Sequence, residues 1–403
     1  MTVTLPNDVQ KLFSQRSNRA GQQKFSNPKA AGERISFRSG YPDPKSMPKS
    51  DMAEATRVAL ERDGEWALQY GANRGYDRLL EELRKKLKRD QGIDCEEENL
   101  LIVSGAGQGL ALIVDTFCDP GDVVISEEPT WMGAVKHFRN AGVDVETVRV
   151  DDQGTDVAAL EESITRLIKE GRHPKFIYMI PNFQNPIGVT TTVERRKAII
   201  ELAGKYTVPI IEDDAYSDLR YEGDRVETMY QLDHTGMVLY LSTFSKIIGA
   251  GLRLGWIIAH PQFIGAIGAL KPEGGTSPFV GAAAAEFCGS GTLVEHIGEL
   301  RAVYDGRRRA MLAALESEMP NGVSWTIPEG GFFVWVTLPE QVRVTELSPK
   351  LEEQGVEVSP GPVFYFGEGG EHELRLSYSF ADESQIETGV RILASEIRQA
   401  LSQ

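Results

Sequence analysis

Through the middle of the chain, short apolar runs alternate with longer amphipathic ones, and few folds accommodate that order. The runs Leu100–Val103, Val123–Ile125, Val145–Val150, Phe176–Ile180, Val208–Ile211, Val238–Leu241 and Trp256–Ala259 predict strands. Several have no polar alternate, as strands buried on both faces require. Between them, Gly109–Cys118, Trp131–Ala141, Val157–Glu170 and Thr192–Tyr206 have helical spacing. The pattern predicts an α/β fold with a mostly parallel, seven-stranded sheet covered by helices on both sides.

After about residue 285 the texture changes. A long charged helical stretch, Thr292–Glu318, leads to strand-like Val323–Thr326 and Phe332–Thr337. A helix at Val344–Glu353 and strands near Val356–Ser359 and Leu374–Tyr378 follow. The expectation is a large domain over 66–285 and a smaller, discontinuous α+β domain from 1–65 and 286–403. A chain of 403 residues suits one large core with a smaller partner.

Charge and cysteine usage narrow the function classes. A formal net charge of −16 argues against a nucleic-acid surface or a basic membrane-binding face. Cys95, Cys118 and Cys288 show no metal-site spacing and fit reduced cytoplasmic thiols, so no metal site is expected. The N-terminus lacks the apolar core of a signal peptide, and no apolar run approaches a membrane span. The first forty residues are locally basic, with Arg16, Arg19 and Arg38 among them. They read as a solvated arm, or as one that orders over an active-site mouth or a second subunit.

Four segments carry chemistry. The turn Ser104-Gly105-Ala106-Gly107-Gln108-Gly109 follows a strand and opens a helix, where free backbone amides suit a phosphate. Alone it fits a ligand-free turn equally well, and it lacks the dinucleotide and P-loop patterns. In Ser242-Thr243-Phe244-Ser245-Lys246, a strand ends at a lysine among hydroxyls, with Arg253 seven positions on. A lysine that forms a Schiff base must present a neutral amine, hence a desolvated or cation-rich pocket. Pro181-Asn182-Phe183-Gln184-Asn185-Pro186-Ile187-Gly188 is a rigid loop that fixes a carboxamide, and Glu212-Asp213-Asp214-Ala215-Tyr216 sets acids and a phenol beside another strand end. Each has a bland reading as a turn or solvated loop. Successive strand ends are nonetheless where open α/β sheets bind ligands.

Together these motifs, with Gly251-Leu252-Arg253-Leu254-Gly255-Trp256, closely resemble the fold type I, class I/II aminotransferases, from about Arg38 to the C-terminus. The resemblance implies pyridoxal 5′-phosphate, held by Lys246, which also carries the proton between substrate and cofactor. It implies that Asp213 pairs with the pyridine nitrogen and that Asn185 and Tyr216 contact the ring oxygen. Gly105, Ala106, Gly107, Thr243, Ser245 and Arg253 would surround the phosphate, and Trp131 would stack on the ring. Tyr70 would reach the phosphate of a neighbouring subunit in a homodimer. Arg375 would clamp the substrate α-carboxylate as a bidentate fork, and Gly40 would make a backbone contact to substrate. Ala106 and Gly107 replace side-chain donors common in the family, Ala250 a proline, and Gly281 a glutamine. The implied activity is ping-pong transamination between an aromatic, branched or 2-aminoadipate-like amino acid and a 2-oxo acid such as 2-oxoglutarate. A lyase or an amino-acid oxidase or hydroxylase on the same scaffold is the alternative. A ligand-sensing regulator would need a DNA-binding domain that the short segment before the resemblance cannot supply. The arm's Arg16, Arg19 and Arg38 are candidates to receive a distal carboxylate.

Overall fold

Each of the seven apolar runs becomes a strand, and their surroundings explain why they carry so few polar residues. The computed structural model describes residues 7–20, 34–272 and 275–402. Strand β1 (Ile35–Ser36) precedes the large sheet. That sheet comprises, in chain order, β2 (Leu100–Val103), β3 (Val123–Glu128), β4 (Asp144–Asp151), β5 (Gly154–Thr155), β6 (Ile177–Met179), β7 (Ile210–Asp213), β8 (Val238–Thr243) and β9 (Gly255–Ile258). Every residue of β2, β6, β7, β8 and β9 is buried.

The spatial order is β2-β9-β8-β7-β6-β3-β4-β5. The neighbours from β4 through β3, β6 and β7 to β8 are parallel. Strand β9 runs antiparallel to both β8 and β2, so β2 points the same way as β8. The eighth strand, β5, extends the edge beyond β4; two residues are too few to leave a periodic signal. Strand β7 starts and ends two residues later than its apolar run predicts. Pro209 lacks an N–H and enters only as an acceptor, from the Ile177 amide.

The second body holds β10 (Ser324–Trp325), β11 (Phe333–Thr337), β12 (Val356–Glu357), β13 (Ser359–Pro360) and β14 (Glu373–Ser377). Four of these form an antiparallel sheet ordered β10-β11-β14-β13, while β12 pairs in parallel with β1. The expected single run Val356–Ser359 is thus divided between two sheets. Phe37, Val334, Val336, Leu376 and Ile386 belong to one buried cluster here, which draws on both ends of the chain. Helix Lys49–Ala67 packs instead against helix Pro278–Gly289.

Candidate active site

The strand directions bring the four chemical segments to one edge. The carboxyl ends of β2, β3, β6, β7 and β8 lie on the same side, and the reversed β9 begins there. Open α/β sheets bind ligands at that edge. A cavity of about 270 Å³ is lined by Ala106, Gly107, Trp131, Asn185, Asp213, Tyr216, Thr243, Ser245, Lys246 and Arg253, with Tyr41, Ile180, Ala215 and Ala250.

Only the middle acid of Glu212-Asp213-Asp214 faces this space. Glu212 accepts the Met229 and Tyr230 amides, each at 2.8 Å. Asp214 accepts from Asn182 at 3.0 Å and from the Tyr240 hydroxyl at 2.8 Å. The Asp213 Oδ2 accepts from the Tyr178 hydroxyl at 2.8 Å. Burial pushes the Asp213 pKa up to about 7, against the Tyr178 hydrogen bond and the charge of Lys246. The sequence alone does not mark Tyr178, because a tyrosine inside Phe176–Ile180 reads as core. Its one distinguishing signal is a hydroxyl in a strand that is otherwise apolar.

The Lys246 Nζ donates to the Gly40 carbonyl at 2.9 Å and lies 5.7 Å from the ring centre of Tyr216. Burial lowers its pKa to about 8, with Arg375 and Arg253 acting the same way and Asp213 opposing them. A neutral amine is therefore accessible near neutral pH, as Schiff-base chemistry requires.

The other end of the cavity is built for an anion. Gly105, at φ +83° and ψ 163°, caps helix Ala106–Phe117, whose first residues Ala106 and Gly107 line the space at the helix N-terminus. A Cβ at Gly105 would sit 2.8 Å from the Arg253 guanidinium. Arg253 donates to the Ser104 carbonyl at 3.0 Å and the Ala250 carbonyl at 3.3 Å. The Thr243 and Ser245 hydroxyls lie 2.8 Å apart.

Asn185 is held by its loop. Gln184 donates to the Pro129 carbonyl at 2.8 Å and accepts the Ile187 amide at 3.0 Å. The Asn185 Oδ1 then accepts from Arg375 Nη1 at 2.8 Å. Arg375 Nη2 donates to the Arg38 carbonyl at 2.7 Å, and the buried Nε has no partner. Burial lowers the Arg375 pKa to about 10. An orphaned guanidinium N–H, a proton-holding carboxylate and an anion cradle are what a substrate carboxylate, a pyridine nitrogen and a phosphate would need. The residues present therefore fit pyridoxal 5′-phosphate.

Comparison with known proteins agrees. The family model for "Aminotransferase class I and II" matches residues 38–393. The chain belongs to the class I and II aminotransferases. It is 38% identical to an aromatic-amino-acid aminotransferase of Thermococcus litoralis, over 91% of this chain and 88% of that protein. The crystal structure of Pyrococcus horikoshii kynurenine aminotransferase superposes with a TM-score of 0.92 at 37% identity, covering 98% and 99% of the two chains. LysN, the α-aminoadipate aminotransferase of Thermus thermophilus, gives 0.89 at 33% identity with the same coverage. This aminotransferase uses pyridoxal 5′-phosphate.

The expected site residues do not all share the cavity wall. Gly40 and Arg375 adjoin it through their bonds to Lys246 and Asn185. Tyr70 is 88% exposed and outside the lining. The arm's arginines are engaged elsewhere. Arg16 pairs with Asp115 at 2.9 Å, Arg19 caps the carbonyls of Asn140 and Ala141, and Arg38 pairs with Glu352. The arm's Lys24 and Lys29 fall outside the described residues.

Proposed function

We propose that this aminotransferase exchanges an amino group between an L-α-amino acid and a 2-oxo acid such as 2-oxoglutarate, by a ping-pong cycle. The favoured side chains are aromatic, branched or 2-aminoadipate-like. One observation carries the reading: Lys246, Asp213 and Arg375 supply an amine, a buried acid and an orphaned guanidinium around one cavity. The similar proteins are an aromatic-amino-acid, a kynurenine and an α-aminoadipate aminotransferase, which supports the substrate range.

Bound pyridoxal 5′-phosphate supplies an electron-withdrawing ring that stabilises negative charge at the substrate α-carbon. In this reading Asp213 holds the ring nitrogen protonated and Tyr178 holds Asp213. Asn185 and Tyr216 hold the ring oxygen, and Trp131 covers one ring face. Gly105, Ala106 and Gly107 would wrap the phosphate, with Ala106 and Gly107 opening the helix N-terminus toward it and Thr243, Ser245 and Arg253 assisting. Lys246 holds the cofactor, then takes and returns a proton at Nζ. Arg375 and the backbone at Gly40 orient the substrate carboxylate.

Tyr70, with Trp66 and Leu68 at 70% and 74% exposure, supports a homodimer in which Tyr70 crosses to the partner's phosphate. Three free cysteines support a cytoplasmic setting. Among the described residues no helix is long and apolar enough to cross a membrane.

Steady-state rates with a panel of L-amino acids and 2-oxoglutarate test the substrate range. Aromatic amino acids and 2-aminoadipate should exceed aspartate at least about tenfold in kcat/KM. No oxo acid from any of them would overturn the reading.

A further inference from the structure

Arg375 is a buried cation with no carboxylate within ion-pair distance among the described residues. Its N–H groups go to the Asn185 side chain, the Arg38 carbonyl and the Ser359 hydroxyl, the last at 3.3 Å. All three acceptors are neutral, so none supplies a counter-charge. Two aromatic rings do lie against it. The guanidinium carbon is 4.1 Å from the centre of the Phe333 ring and 4.8 Å from that of Phe364.

Phe333 reaches Arg375 through the sheet register. In the antiparallel pair β11–β14, Phe333 stands opposite Ser377 and Trp335 opposite Arg375. Phe333 is thus the diagonal neighbour of Arg375 on the same face, a gap that large side chains bridge. The same ring, 1% exposed, meets Tyr216 edge-on at 5.7 Å. A Cβ on Gly40 would come within 2.8 Å of its tip. One ring therefore touches the guanidinium, the phenol and the backbone segment whose carbonyl receives Lys246. A desolvated cation against a ring face is held more strongly than an exposed one, and an aliphatic group of similar bulk does not replace the ring's charge distribution.

We propose that Phe333 is a positioning residue. Its ring, helped by Phe364, holds the Arg375 guanidinium in place, and through Arg375 it sets the affinity for the α-carboxylate of both amino-acid and oxo-acid substrates. The inference rests on the reading of Arg375 as the carboxylate clamp.

The test uses the cofactor-loaded enzyme and the variants Phe333→Leu, Phe364→Leu and Arg375→Lys, with KM, kcat and bound cofactor measured for each. Phe333→Leu should raise KM for the amino acid and the oxo acid together, about tenfold, with kcat changed less than about threefold and cofactor occupancy kept. Phe364→Leu should shift the same two constants less, because its ring lies farther away. It also decides the matter if Phe333→Leu does not fold. If Arg375→Lys raises both KM values while the foldable leucine variants leave them unchanged, the positioning role is wrong and the clamp stands. A fall in kcat or in cofactor occupancy with KM constant also overturns it. If Arg375→Lys itself leaves both KM values unchanged, the clamp reading fails.

Discussion

Asp213 holds its proton up to about 7 because burial penalises its charged form and Tyr178 only partly offsets that. The folded pKa lies above the ordinary carboxylate value, so between about pH 4 and 7 the folded, cofactor-free protein binds more protons than the unfolded chain. The stability this contributes is present below pH 4 and is lost as pH rises through 7. Asp213→Asn cannot ionise, so its cofactor-free form should lose less stability than wild type between about pH 5 and 8. Urea midpoints across that range measure it, and parallel curves for the two proteins would refute the assignment. At this scale the sequence was uneven as a guide. Lys246, Asp213 and Asn185 stood out as polar groups at strand ends. Tyr178 and Phe333 did not, because a hydroxyl inside an apolar strand looks like core and a diagonal pair needs a register.

The strand-to-helix turn at Gly105 shows how one residue's backbone decides what an element binds. Its φ and ψ fall where only glycine is at ease, at a cost of about 1–3 kcal/mol for other residues. Gly105→Ala would also press a Cβ against Arg253. The variant should lose about that much stability and bind pyridoxal 5′-phosphate at least about tenfold more weakly; cofactor titration with wild-type affinity would contradict this. A second tie lies behind Tyr216. Lys86 at the end of helix Asp77–Lys86 donates to both Asp218 oxygens, at 2.8 and 2.9 Å, with side-chain exposures of 1% and 10%. Arg301 donates to the Asp218 carbonyl at 2.7 Å. Lys86→Met leaves Asp218 buried without its cation, so denaturant unfolding should show a loss of about 3–5 kcal/mol. A change under about 1 kcal/mol would show that the Lys86–Asp218 pair does not hold the turn after Tyr216. Strands β2, β6, β7, β8 and β9 were legible in the sequence because burial on both faces excludes most polar residues, while β4, with one buried residue, was legible by its alternation. Strand β5, with two residues, and the division of Val356–Ser359 between two sheets were not, since only tertiary pairing defines them.

Across the whole molecule, the site gathers its residues from the two bodies and from segments far apart in the chain. Trp131, Asn185, Asp213 and Lys246 line the cavity from the large sheet's carboxyl edge. Arg375 of the small sheet and Gly40, which follows β1, adjoin it through their bonds to Asn185 and Lys246, and Phe333 lies against Arg375. That gathering was foreseeable only through the motif order, because spacing in the chain carries no distances. Its chemical meaning is tested most directly by mixing the cofactor-loaded enzyme with one aromatic L-amino acid, without acceptor and without oxygen. Transamination requires a single equivalent of oxo acid per active site, no free ammonia, and a changed cofactor absorbance that 2-oxoglutarate restores. Lys246→Ala should show none of these changes. Continued turnover without acceptor, or ammonia released with the oxo acid, would contradict transamination and place this cavity's chemistry with the lyases or oxidases.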